Sequence, residues 1–203
     1  ISKSVKKFDL FPASVKSLKN LQIFLSFFSP LLIIFIFTFF GFFFSNFTGI
    51  IYLCLILISI LARIGLYKFL PNIDAYECDL VNYSTIGYGD VYLSLWVFTF
   101  TLFYTLYSAL IHNQFKSLTA MYIIYMLYFI LDVITKIQYK CFFNAKSMTS
   151  VVHILSNIVL GGMFGLLSVF MVQSVSTASN INLGFFAKQK AYECFTSQSV
   201  VFN

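Results

Sequence analysis

Charge is the scarcest commodity in this 203-residue chain: Asp, Glu, Lys and Arg make up 10% of it, where a soluble domain carries about 25%. So little charge excludes a disordered chain, a nucleic-acid binder and an ordinary water-soluble enzyme. Arginine is rarer still, with Arg63 the only one, and there are only three prolines and nine glycines. Four cysteines, Cys54, Cys78, Cys141 and Cys194, are scattered without metal-ligand spacing, so neither a disulfide framework nor a zinc site follows. No phosphate-binding loop, Ser-His-Asp set or cofactor fingerprint is present, and no cofactor is expected to be bound by this chain alone. Catalytic residues of its own are not expected either.

Apolar and aromatic residues fill the space instead. The chain is 60% hydrophobic and 20% aromatic, with 27 Phe and 13 Tyr. From Asn20 to Ala62 there is no charge over 43 residues, and a bilayer-spanning helix needs about 20. Hydropathy gives five spans: Leu21–Phe44, Phe47–Leu66, Val91–Ile111, Leu118–Gln138 and Val151–Val175. The expected fold is an all-α polytopic membrane protein with about five transmembrane helices. It divides into a basic interfacial segment over 1–20, a membrane domain over 21–175 with a long loop at 67–91, and a polar C-terminal tail over 176–203. Pro30 is expected to kink the first span, because it lacks an N–H and crowds the preceding turn.

Orientation follows from the lysines. With five spans, the N-terminus, second loop and fourth loop share one side, which collects ten basic residues against three on the other. The positive side faces inward, so the N-terminus is expected inside. Codon supply adds a location. Lys with Arg totals 13 while Arg is single, and Phe and Tyr abound. Extreme hydrophobicity, AT-rich codon usage and a first methionine at Met121 together point to a mitochondrial gene and hence the inner membrane, with the N-terminus in the matrix.

Three sets of residues invite function. Asp132 is the acid that falls inside a span, where carboxylates are expensive and functional by default; Lys136 follows at i+4, the favourable order for a helical pair. Lying within about two turns of the span end, the pair is expected to snorkel to the interface, with proton coupling as the alternative role. Gly161, Gly162 and Gly165 form a small-residue face for close helix contact, either within the chain or to a partner. His112 and His153 fall at opposite ends of their spans, about 30 Å apart along the normal, too far to share a haem iron; both are expected to hydrogen-bond at the interface.

The 67–91 loop carries two resemblances. Ser84-Thr85-Ile86-Gly87-Tyr88-Gly89-Asp90 resembles the selectivity filter of potassium channels, which would imply a homotetramer with carbonyl-lined ion sites. No glycine hinge or following proline accompanies it. Ala75-Tyr76-Glu77-Cys78 resembles the loop motif of NADH dehydrogenase subunit 3, a membrane subunit of respiratory complex I. In that family the next span begins some fourteen residues after the cysteine, as it does here near Val91. The similarity covers roughly Phe47–Lys140. Asp79 stands where the family has glycine, and Thr105 and Tyr107 stand where it has two membrane acids. This resemblance implies a non-redox subunit of a proton-pumping complex, with Tyr76, Glu77 and Cys78 in a loop near the quinone cavity. Its partners would be other membrane subunits of a large hetero-oligomeric respiratory complex, and lipids, with no nucleic acid. Subunits of cytochrome oxidase or ATP synthase share such a composition, although Arg63 falls close to a span end for a stator arginine.

Overall fold

A computed structural model describes residues 21–44, 48–67, 91–139 and 148–179. The loop residues Tyr76, Glu77 and Cys78, the filter-like run Ser84–Asp90, the basic N-terminal segment and most of the polar tail lie outside the described residues. Within them the protein is all-helical. The six helices are α1 (Leu21–Phe27), α2 (Ser29–Phe44), α3 (Thr48–Tyr67), α4 (Val91–Ile111), α5 (Phe115–Gln138) and α6 (Met148–Ser179). Four are long and apolar enough to cross a membrane, and α1 with α2 makes a fifth candidate span.

The first span breaks at its proline. α1 and α2 meet at 71°, with Phe28 between them. Pro30 has no N–H to offer the Ser26 carbonyl, so the ladder opens there, while Phe28 N–H still reaches Phe24 O at 3.0 Å and Leu32 N–H reaches Phe28 O at 2.9 Å. The α4–α5 connection turns tightly. Asn113 takes a left-handed φ of 54°, and the N–H groups of Asn113 and Gln114 cap the Leu110 and Ala109 carbonyls at 3.2 and 2.9 Å. That pattern is a Schellman motif with asparagine in the glycine position.

α4 is the axis of the molecule. Of its span, 67% is buried inside the chain, against 22–28% for α3, α5 and α6. Its buried side chains run through Trp96, Val97, Phe98, Phe100 and Tyr104, with Ile33, Phe37, Tyr52 and Ile56 of α2 and α3 closing on them.

α6 lies along α4 at close range, and the glycines explain why. A Cβ on Gly161 would meet the Thr99 hydroxyl and stand 2.9 Å from the Trp96 carbonyl, and one on Gly165 would stand 2.5 Å from the Phe100 carbonyl. The small-residue face therefore packs on α4 of the same chain, backbone against backbone. Gly162 faces the Phe103 ring instead.

α5 is attached differently. Its outward side is apolar, with Ile123, Ile124, Leu127, Leu131 and Ile134 exposed. Its inward side carries Tyr122, Tyr125, Asp132, Thr135 and Lys136. In lipid, burying more leucine gains nothing for association, so hydrogen bonds and packing hold such a helix. Tyr125 donates to the Phe98 carbonyl at 2.8 Å, and Tyr128 donates to the Leu25 carbonyl at 2.9 Å.

Candidate functional site: a buried ionisable layer

α1, α4 and α6 begin at the end of the bundle where α3 and α5 finish. Polar side chains from these five of the six helices gather there. Asp132 is 1% exposed and Lys136 5%, which corrects the expectation that the pair snorkels to the interface. Lys136 Nζ donates to Asp132 Oδ2 at 2.7 Å, one turn away on the same helix. The second carboxylate oxygen accepts from Ser26 Oγ of α1 at 2.8 Å, and Lys136 also donates to Ser94 Oγ of α4. Beside them Gln22 Nε2 donates to Thr135 Oγ1 at 2.8 Å.

The bend at Pro30 makes this arrangement possible. It turns α1 so that Gln22 and Ser26, one turn apart, both reach α5. A buried charge pair is tolerated only when its remaining hydrogen-bonding capacity is met, and the two serines contribute to that. Among the described residues Asp132 is the only acid.

A second polar group flanks α4 on its other side. Arg63, which is buried near the end of α3, donates from Nε to Asn157 Oδ1 of α6 at 2.8 Å, and Asn157 Nδ2 donates to the His153 carbonyl at 2.6 Å. Trp96 Nε1 donates to Ser59 Oγ at 2.7 Å. His153 is buried with its ring 5.9 Å from the Tyr92 ring, so it sits in the core of the bundle and not on the exposed surface that an interfacial position would give it. His112 sits at the opposite end, in the α4–α5 turn, where partial burial lowers its proton affinity below the ordinary histidine value.

Asp132, Lys136 and the three glycines were visible in the sequence; Ser26, Ser94, Arg63, Asn157 and His153 were missed as members of one layer. Depth was the available signal. Each lies within about three turns of a helix end, and the alternating direction of the spans brings those ends together.

No protein-family model, no curated protein and no solved structure matches the chain. The fold and the site define an all-helical protein with several apolar helices consistent with a membrane location.

Proposed function

We propose that this chain is a non-redox integral membrane subunit of a mitochondrial respiratory-chain complex, with proton-pumping NADH:ubiquinone oxidoreductase as the specific candidate. One observation carries the reading: an Asp–Lys pair enclosed in the bundle and hydrogen-bonded to serines of two other helices. Ionisable groups buried at membrane depth are costly, and a typical use for them is coupling proton position to conformation. The resemblance of Ala75–Cys78 to the subunit 3 loop motif supports the same assignment. In this role the matrix loop bearing Tyr76, Glu77 and Cys78 lies near the quinone cavity. Apolar outer faces of α2, α3, α5 and α6 receive neighbouring subunits and inner-membrane lipid.

The potassium-channel alternative fits less well. A helix following a filter must line a pore on the four-fold axis, whereas α4 is enclosed by its own chain. For an ATP synthase stator, Arg63 would have to face a partner, and it is turned toward Asn157 of α6.

Asp132→Asn in the assembled complex tests the proposal. Proton-coupled quinone reduction is expected to fall while assembly is retained; unchanged turnover with normal assembly contradicts the coupling role.

A further inference from the structure

From the buried pair a line of hydroxyls continues up one face of α4. Ser94, Thr101, Thr105 and Ser108 are all buried, and His112 stands above them. Residues 94 and 112 are 18 apart, five full turns, so they share one azimuth and lie about 27 Å apart, close to the thickness of a hydrocarbon core. Thr101, Thr105 and Ser108 fall on the same face between them. The neighbouring helices add their own groups. Tyr52 OH of α3 shares a 2.7 Å hydrogen bond with Thr101 Oγ1. Tyr122 of α5, only 7% exposed, brings a hydroxyl beside Thr105. At the far end a cleft lined by Tyr104, Ser108, His112 and Gln173 adjoins the column.

The column is interrupted once. At position 98 the hydroxyl is replaced by a phenyl ring, enclosed by Tyr125, Tyr128 and Phe129 with centroids 5.3, 5.5 and 4.8 Å away. Tyr125 OH is bonded to the Phe98 carbonyl at this same level.

We propose that this chain itself carries a proton path along α4, from Asp132 and Lys136 to His112, gated by Phe98. The path deepens the coupling role given above, but it does not depend on which complex holds the chain. Hydroxyls one turn apart are separated by about 5.4 Å, which one water bridges with two hydrogen bonds of ordinary length. Apolar constrictions gate by excluding such water, and the Phe98 cluster is one.

The protons balance. Lys136 Nζ passes a proton to Ser94 Oγ, which releases its own hydroxyl proton toward Tyr125. Asp132 takes a proton from the near aqueous side and returns it to the Lys136 amine, so both residues end as they began. Tyr125, level with the ring, and beyond it the Thr101–Tyr52 pair, Thr105 with Tyr122, and Ser108 each accept one proton and yield another, until His112 releases one to water. Partial burial of His112 favours that release.

The full chain reconstituted in lipid vesicles holding a pH-sensitive dye tests the path under an imposed membrane potential. Phe98→Ala, which removes the constriction, is expected to raise proton flux by roughly tenfold or more over the unaltered chain. Adding Thr101→Val and Thr105→Val in that background is expected to return it to baseline, and potassium is expected not to replace the proton. Phe98→Leu provides a milder opening should the alanine variant misfold, with native near-ultraviolet circular dichroism from Trp96 as the check on folding. Flux no greater than in protein-free vesicles from a correctly folded variant overturns the path, as does flux that ignores the threonine changes or carries potassium. Because the vesicles contain no other subunit, their result is separate from whether the chain belongs to a respiratory complex.

Discussion

Removing Asp132 alone strands the Lys136 ammonium in the bundle. Asp132→Leu is expected to destabilise the detergent-solubilised protein by about 3–5 kcal/mol, since breaking a buried pair leaves an uncompensated charge. Asp132→Leu with Lys136→Leu is expected to recover most of that loss in the same unfolding titration. A double variant no more stable than the single one would show that the ammonium is not stranded. At the opposite end, burial holds His112 below its ordinary proton affinity, so the folded state binds fewer protons there than the unfolded state. Its contribution to stability is complete above about pH 6.5 and is lost as the pH falls through the lowered folded value. His112→Gln is expected to remove that part of the acid dependence, and an unchanged midpoint between pH 7 and 5 would contradict it. The composition made Asp132 conspicuous because carboxylates are so few. Its burial was not legible in the same way: spacing within α5 pairs it with Lys136, but only the bend at Pro30 brings Ser26 over it.

At the scale of helices, the glycines separate close packing from mere neutrality. Gly165→Ala places a methyl group against the Phe100 carbonyl and is expected to cost about 1–3 kcal/mol, as overpacking does. Gly65 near the end of α3 has nothing within 4 Å of its would-be Cβ. Gly65→Ala is accordingly expected to gain roughly 0.5–1 kcal/mol from helix propensity. Thermal unfolding of the two variants side by side checks both signs; equal effects would mean that α6 does not lie on α4 at this distance. Hydropathy made these helices legible because a bilayer imposes length and apolarity on a sequence, and α4 runs over Val91–Ile111 in both sequence and structure. It could not rank them. On mean hydropathy α4 ranks below α3, α5 and α6, and its central place depends on small and hydroxyl-bearing positions meeting glycines and tyrosines of other helices. Nor does hydropathy show that α5 is held by a polar seam, since its exposed isoleucines dominate any average.

Viewed whole, the molecule leaves much apolar surface uncovered. On α2, Phe35, Phe39 and Phe43 form a ladder along the outer face, with successive ring centroids 5.9 and 4.7 Å apart. Such a face suits acyl chains or the helices of a neighbouring subunit. The proposed orientation puts Cys78 in the matrix, so a membrane-impermeant thiol reagent is expected to reach it first in inverted membranes; faster labelling in intact ones would reverse the topology. Stoichiometry tests the proposed function most directly. Mass spectrometry of the native assembly is expected to find this chain once in a large hetero-oligomer with other respiratory subunits. A homotetramer of this chain alone, conducting potassium, would contradict it.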